Sequence, residues 1–176
     1  RNYREGFIDT LGGGKLLDWK YYPLDDYKYT DNSIQLQDIN AVLGITYKIT
    51  KPLSIDFKYR YEKQGSENKT LYDKKSFFAR DLINSYSQID YSTGQVVNKI
   101  PIGAVLDLGS EAITAHDYRG QLNFNQSRGN HNISSIAGMQ ISETISDGNK
   151  YRTYGYDNEI LNFGNVDYTQ TYPLLQ

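Results

Sequence analysis

The sequence predicts an all-β fold, an antiparallel meander of long strands. The first observation is residues 53–62, where apolar and polar side chains alternate over ten positions. A period of two is typical of a β-strand with one apolar and one polar face. Three other segments show the same alternation, and the segments that join the four are alternately very short and very long.

Composition excludes several classes of function. The 176-residue chain is long enough for one domain, and its net charge of -2 gives no electrostatic basis for binding nucleic acid. The lack of cysteine excludes disulfides and thiol catalysis. Seventeen tyrosines against six phenylalanines favour interfaces with protein, sugar or lipid headgroups. No apolar run is long enough for a transmembrane helix, and a first residue of Arg1 suggests a segment of a longer protein.

Tight turns and long loops divide the chain. Thr50–Pro52 and Ser127–Asn130 have the composition of tight turns, and each joins two strands into a hairpin. Strands are expected near 38–49, 53–63, 115–126 and 132–142, and long loops at 1–33, 64–114 and 143–176.

The second and third loops carry their own predicted structure. Ser76 precedes one short amphipathic helix as its cap, and residues 89–97 predict a small hairpin with Gly94 at the position that needs a positive φ. Asp147-Gly148 and Tyr156-Asp157 are predicted turns. A further strand, or packing on the loop, is expected from Ile160, Leu161, Phe163 and Val166.

Long strands with short turns at one end and long loops at the other are typical of transmembrane β-barrels. Because four strands cannot close such a barrel, the chain is predicted to be a segment of one. One side-chain parity would then face lipid and the other a wet lumen. The predicted lipid-facing residues are Leu43, Ile45, Ile55, Phe57, Tyr59, Leu122 and Phe124, and the predicted lumen-facing residues are Asp56, Lys58, Arg60, Glu62, Asp117 and Arg119.

Aromatic side chains in the loops are candidates for contact with a ligand or a partner. The alternative is that these rings only hold a long loop in place. The candidate residues are Trp19, Tyr21, Tyr22, Tyr27, Tyr154 and Tyr156.

Several segments, in this order, give the chain a family resemblance that covers nearly its whole length. They are residues 1–5, 9–19 (DTLGGGKLLDW), 22–27 (YPLDDY), 37–40 (QDIN), 59–64 (YRYEKQ), 79–84 (ARDLIN), 119–125 (RGQLNFN) and 152–156 (RTYGY). In these segments the chain resembles the SusC/RagA-like TonB-dependent outer-membrane transporters.

The resemblance implies a place in the cell outer membrane. Transporters of this class have a plug and a barrel of about 22 strands. They import glycans or peptides with energy transmitted by TonB, together with a SusD-like surface lipoprotein. This chain would be an early part of the barrel, wall and extracellular loop rather than a catalyst. Its partners would be the SusD-like lipoprotein, TonB, outer-membrane lipid and an oligosaccharide or peptide.

Two other functions stay open at this point. The first is a soluble surface β-module that binds carbohydrate or protein through its tyrosine-rich loops. The second is a carboxylate-dependent hydrolase, for which no pair of carboxylates stands out. His116 and His131 lack the spacing of a metal site, and Gly12–Gly14 with Lys15 does not match a phosphate loop. We therefore predict no catalytic residue, no metal and no cofactor.

Overall fold

The computed structural model describes residues 5–162, Gly164 and Thr169. In chain order its elements are α1 (Glu5–Thr10), a 3-10 helix (Leu11–Gly14), α2 (Pro23–Asp26), a 3-10 helix (Tyr27–Tyr29), β1 (Thr30–Lys48), β2 (Leu53–Tyr72), α3 (Phe77–Ser85), β3 (Ser87–Asp90), β4 (Gln95–Asn98), β5 (Ala104–Arg128) and β6 (His131–Tyr156).

The four long strands form one antiparallel sheet in the order β1-β2-β5-β6, which confirms the all-β meander predicted from the sequence. The short β3 and β4 pair with each other within the connection between β2 and β5. Backbone hydrogen bonds show that β1 turns tightly into β2, because Leu53 O accepts from the N–H groups of both Ile49 and Thr50.

The strands are longer than the sequence predicts. They contain 19, 20, 25 and 26 residues, and each extends beyond its predicted boundary on the side away from the tight turn. Residues 30–37 and 104–112 lack clean alternation of apolar and polar side chains. Backbone hydrogen bonding to a neighbouring strand extends an element regardless of such alternation, and the observed strands therefore run beyond the predicted boundaries.

Two predictions in the second loop are confirmed. Helix α3 begins after Ser76, whose hydroxyl accepts a hydrogen bond from Ala79 N at 3.1 Å. This satisfies one of the N–H groups that a helix start leaves without a partner. The β3–β4 hairpin turns at Gly94, whose φ of 65° is in the left-handed region that favours glycine.

One predicted turn in the third loop is wrong. Asp147 and Gly148 lie inside β6 rather than in a turn. The neighbouring strand explains this, because the Ser110 hydroxyl donates to Asn149 Oδ1 at 2.9 Å. The turn near Asp157 is present, since β6 ends at Tyr156 and a β-bridge joins Asp157 to Asn162. Ile160 and Leu161 are exposed in that turn, and Phe163 and Val166 lie outside the described residues.

The chain forms two compact units, each described here by itself. The loop unit comprises Arg1–Ile34, Asn68–Gly109 and Lys150–Gln176, and the sheet unit comprises Gln35–Glu67 and Ser110–Asn149. A hydrophobic core lies within the loop unit. Its buried members are Ala79, Ile83, Ile100, Val105 and Tyr154, and Leu17, Tyr72, Phe78 and Leu82 pack against them.

The sheet unit contains almost no buried side chain. All of its residues are described, and Asp117 alone is buried. A single open sheet of this kind has no second layer, so neither of its faces is shielded from the surroundings. Every residue of β1 is exposed.

Candidate functional site

The sheet unit exposes an apolar face. Leu43 and Ile45 are each 56% exposed, and Ile55, Phe57 and Leu122 are 39–43% exposed. These residues follow the two-residue alternation of their strands, so they share a face that also carries Ile133, Met139 and Ile141. Phe124 and Tyr59 lie on the same face by this alternation, and both are half-buried. Exposed apolar side chains that gather on one face mark an interaction site on a folded chain.

Four rings with polar atoms cluster on this apolar face. Tyr59, Tyr61, His116 and Tyr118 belong to the neighbouring strands β2 and β5. Tyr59 stacks on Tyr118 with centroids 4.9 Å apart, and the centroids of Tyr61 and His116 are 5.3 Å apart. The Tyr59 hydroxyl and His116 Nδ1 share a hydrogen bond of 2.9 Å. We call these four residues the ring cluster.

The opposite face of the sheet unit is ionic and hydrogen-bonded. Arg60 donates to Asp117 Oδ2 from Nε at 2.8 Å and from Nη2 at 2.5 Å, and the Ser142 hydroxyl donates to Asp117 Oδ1. Glu62 lies 3.7 Å from Arg60. Asp117 therefore joins β2, β5 and β6 through charge-assisted hydrogen bonds, which are stronger than neutral ones.

A second network continues across this ionic face. Thr46 donates to Asp56 Oδ1 at 2.6 Å, and the Asn123 amide donates to Asp56 Oδ2. Asn123 accepts from Gln121, which in turn accepts from Arg119 at 2.9 Å. Lys58, which alternates with Asp56 and Arg60 along β2, is exposed on this face. The structure thus brings the six residues predicted to line a lumen onto one face.

The structure removes two residues from the set of aromatic candidates for ligand contact. Trp19 and Tyr154 are buried, at 8% and 6% exposure, so their rings are not available to a ligand. The Trp19 Nε1 donates to Asp81 Oδ1 at 2.6 Å, and Tyr154 belongs to the core. Both rings hold the loop unit together, as the alternative interpretation expects. Tyr21, Tyr22 and Tyr27 are exposed, and Tyr156 is half-buried.

Tyr22 lines a cleft in the loop unit that we call the tyrosine cleft. Its volume is about 400 Å³. The Tyr22 ring lies 6.0 Å from the Arg80 guanidinium, a cation–π contact that orders one wall. Acids, bases and phenols share the cleft, which suits a polar ligand. Its lining residues are Asp18, Tyr22, Asp25, Asp26, Tyr29, Lys74, Lys75 and Arg80.

Two polar residues of α3 that were not predicted as site residues bind the backbone beside this cleft. Arg80 donates to the Asp18 carbonyl at 2.5 Å and to the Lys75 carbonyl at 3.0 Å. Asn84 accepts from Leu17 N at 3.0 Å and donates to Leu17 O at 2.8 Å. Arg80 and Asn84 are four residues apart on the face that also buries Ile83, and this spacing was the available signal.

An ion pair joins β5 and β6 within the loop unit. Arg152 donates to both oxygens of Asp107, each bond 2.6 Å long. The hydrogen bond to Asp107 raises the pKa of the Arg152 guanidinium, although burial opposes this shift. Burial raises the pKa of the Tyr154 phenol. A bidentate pair with both partners nearly buried fixes the geometry of β5 against β6 within the loop unit.

Within residues 5–162, with Gly164 and Thr169, no group of three or more His, Cys, Asp or Glu side chains is arranged to hold a metal ion. His116 belongs to the ring cluster, and His131 is exposed at the start of β6. Of the described helices, none has the length and apolar character to cross a membrane.

Comparisons with known proteins add no identification. The chain matches no protein-family model, and a search of curated proteins finds no match.

Proposed function

We propose that this chain is a segment of an outer-membrane nutrient importer of the SusC/RagA-like TonB-dependent class, and that it forms part of the barrel wall and of the extracellular loops. The observation that carries the proposal is the sheet unit, whose strands expose an apolar face on one side and a hydrogen-bonded ionic face on the other. The sequence resemblance supplies the class of transporter.

Burial explains why this arrangement favours a membrane wall over a water-soluble layer. Each Å² of apolar surface left in water costs roughly 25 cal/mol relative to burial. Leu43, Ile45 and Leu122 expose half or nearly half of their surface, and within the sheet unit no second layer covers them. Lipid would remove this surface from water. The ionic face would then line the water-filled side of the barrel.

The networks of the ionic face support the same assignment. Asp56 and Asp117 have hydrogen-bond partners on both neighbouring strands. Such lateral bonds hold charged side chains flat along a sheet, where a lumen needs a fixed wetted wall.

The parent importer would supply the partners. Under this proposal the oligosaccharide or peptide, the SusD-like lipoprotein and the energy transmitted by TonB act on the whole barrel, and this chain is not a catalyst. The loop unit, with its tyrosine cleft, would be the extracellular part of the segment. The exposed rings of Tyr21, Tyr22 and Tyr27 would be its contact residues.

Spin labels test the two faces directly. The chain has no cysteine, so a single introduced cysteine gives a label without background. Labels would be placed at Leu43 and Leu122 on the apolar face and at Lys58 and Arg119 on the ionic face, with the full chain in lipid vesicles. We expect collision with oxygen to dominate at Leu43 and Leu122, and collision with a water-soluble nickel complex to dominate at Lys58 and Arg119.

Two outcomes of the spin-label experiment would contradict the proposal. If all four labels collide mainly with the nickel complex, or if the chain does not associate with vesicles, the membrane-wall proposal fails. The Lys58 and Arg119 labels are the controls, because Lys58 lies on β2, next to the strand that carries Leu43, and Arg119 lies on β5 together with Leu122.

The tyrosine cleft favours a second candidate function, a soluble surface module that binds carbohydrate or protein. Here the cleft itself would be the binding site, and the chain would bind in buffer without any amphiphile. Substituting Tyr22→Ala would then weaken binding to an oligosaccharide panel at least tenfold, since stacked rings contribute strongly to such sites. Tyr91→Ala is the control, because Tyr91 is 83% exposed away from the cleft. Equal binding by the two variants would exclude this site.

A further inference from the structure

The tyrosine cleft is lined by three acidic and three basic side chains, and several of these charges already have partners. Arg80 is buried, and its guanidinium lies 3.3 Å from the Asp18 carboxylate while it also donates to the Asp18 carbonyl. The same carboxylate accepts from Lys20 N at 3.0 Å. Arg80 and Asp18 therefore offer a ligand no net charge.

The two other acids of the cleft are also compensated within the loop unit. Asp25 Oδ1 accepts from Lys28 Nζ at 2.8 Å. Asp26 Oδ1 accepts from Phe77 N at 2.6 Å, at the first residue of α3. The positive end of the helix dipole lies there and stabilises a carboxylate. The negative charges of the cleft are thus already balanced by the chain itself.

Lys74 and Lys75 carry the two charges of the cleft that have no partner. Both are exposed, and among the residues that the structure describes neither ammonium group forms a hydrogen bond or an ion pair. Their backbone is fixed, because Lys75 N donates to Asp73 Oδ1 and Ser76 N donates to Asp73 O, each at 2.8 Å. Asp73 N donates in turn to Tyr29 O at 2.8 Å. A fixed turn therefore presents two positive charges to the cleft.

Two phenols line the cleft together with these lysines. Tyr22 is 47% exposed and Tyr29 is half-buried. Neither hydroxyl forms a hydrogen bond with a described residue, so both can bind a ligand. A tyrosine ring offers an apolar surface as well as this polar group. The free groups of the cleft are therefore two cations, two hydroxyls and an exposed ring.

We propose that the tyrosine cleft binds an acidic oligosaccharide, one whose sugar units carry carboxylate or sulfate groups. The anionic groups would lie against Lys74 and Lys75, and a sugar ring would pack on Tyr22. The inference rests on the proposed function, in which the loop unit meets the substrate, and deepens it by naming the substrate class.

The size and the free donors of the cleft favour a sugar over an acidic peptide. Its volume of about 400 Å³ falls within the range of roughly 300–1,000 Å³ for small-ligand sites. Sugar hydroxyls can accept from the free ammonium and phenol groups. A peptide backbone also needs acceptors for its N–H groups, and the carboxylates of the cleft already accept from the chain.

Calorimetric titration of the full chain in detergent micelles tests the ligand class. The probes are three tetrasaccharides, one of galacturonic acid, one of galactose with a sulfate on each unit and one of unmodified galactose. We expect an acidic probe to bind at least about tenfold more tightly than the neutral one. High salt should remove the difference, because it screens exposed charges.

The two acidic probes distinguish the sources of the anion. Tighter binding of the galacturonic acid probe would assign a carboxylate to the ligand, and tighter binding of the sulfated probe would assign a sulfate. Equal affinity for the neutral probe, or no binding of any probe, would overturn the inference.

Substitution of the two lysines tests whether the cleft is the site. Lys74→Gln with Lys75→Gln should weaken binding of the acidic probe by about tenfold, to the level of the neutral probe. Lys51→Gln with Lys69→Gln is the matched control, because it removes the same charge at two exposed residues that do not line the cleft. Equal losses in the two variants would assign the effect to net charge and overturn the site.

A peptide probe separates recognition of sugar from recognition of charge. Tetraglutamate carries carboxylates without sugar rings. Tyr22→Leu should weaken binding of the galacturonic acid probe by about fivefold and leave that of tetraglutamate unchanged. If tetraglutamate binds to the unsubstituted chain as tightly as the acidic tetrasaccharides do, the cleft is a site for acidic peptides and the inference is overturned.

The outcomes separate this inference from the proposed function. A cleft without preference for acidic sugars would overturn the substrate class and leave the spin-label evidence for the membrane wall untouched. Spin labels without lipid contact would overturn the membrane wall, while binding of acidic sugars by the cleft would then belong to the soluble surface module.

Discussion

Arg152 and Asp107 are an ion pair whose two side chains are only 12% and 14% exposed. Burying two charges costs free energy that their attraction must offset, so removing one partner leaves an uncompensated charge. The contact of Arg152 with the Phe78 ring, 5.2 Å away, adds a cation–π interaction at the same point. The stability of the loop unit therefore depends on both partners being present.

We expect Arg152→Met to lower the free energy of unfolding by about 3 kcal/mol, because it leaves the Asp107 carboxylate unpaired. The double variant Arg152→Met with Asp107→Leu should recover most of the loss. Urea unfolding of the full chain measures both. Lys28→Met, which breaks an exposed pair with Asp25, is the control and should have little effect. A double variant that is less stable than the single one would contradict the prediction.

Phe57 is the residue at which the membrane proposal has its largest energetic consequence. In the middle of a bilayer, Phe57→Lys should destabilise the chain by about 2–4 kcal/mol. In a soluble sheet the same change at a side chain 43% exposed would cost little. Unfolding by urea in lipid vesicles gives the value. Phe57→Leu keeps the apolar character and serves as the control, so equal stabilities for the two variants would refute the lipid contact.

Among the elements, the β3–β4 hairpin has a turn that depends on one carboxylate. Asp90 accepts hydrogen bonds from the Ser92 hydroxyl at 2.6 Å, the Thr93 hydroxyl at 2.7 Å and the Ser92 amide at 2.8 Å. These bonds, that of the Ser92 hydroxyl first, lower the pKa of Asp90 well below its ordinary value of 3.8. Charged Asp90 thus holds the loop between the two strands.

Protonation of Asp90 makes the stability of the β3–β4 hairpin depend on pH. The pKa of Asp90 is lower in the folded chain, so its stabilising effect is complete above the ordinary value of 3.8 and is lost as the pH falls through the folded pKa. Protection of the β3 and β4 amides against hydrogen exchange should fall accordingly in acid. In Asp90→Asn the protection should be weaker at neutral pH and should lose this acid dependence. An unchanged acid dependence in Asp90→Asn would assign the effect to another group.

For the whole molecule, the exposed apolar face predicts behaviour in solution. Association buries apolar surface that the single chain leaves in water, so the full chain should form aggregates or oligomers in detergent-free buffer. Detergent above its micelle concentration should disperse them. Size-exclusion chromatography with light scattering distinguishes the two states. A monodisperse monomer without detergent would instead favour the soluble surface module.

A matched set of substitutions isolates the face that causes association. Changing Leu43, Ile45 and Leu122 to Ser should reduce the need for detergent, since it removes apolar area from one side of the sheet unit. Changing Lys58 and Arg119 to Ser should not reduce it. If both sets behave alike, association comes from the unpaired strand edges of β1 and β6 rather than from the apolar face.

The sequence alone determined the antiparallel meander, its two tight turns, the Ser76 cap and the division of the sheet unit into an apolar and an ionic face. Each of these depends on residues close together along the chain, where a period of two, a proline or a capping hydroxyl acts locally. Only the tertiary structure decided how far the strands extend, which rings are buried and what lines the tyrosine cleft. Strand ends depend on a neighbouring backbone, and the burial of Trp19 and Tyr154 depends on α3 and the core, which are distant in sequence.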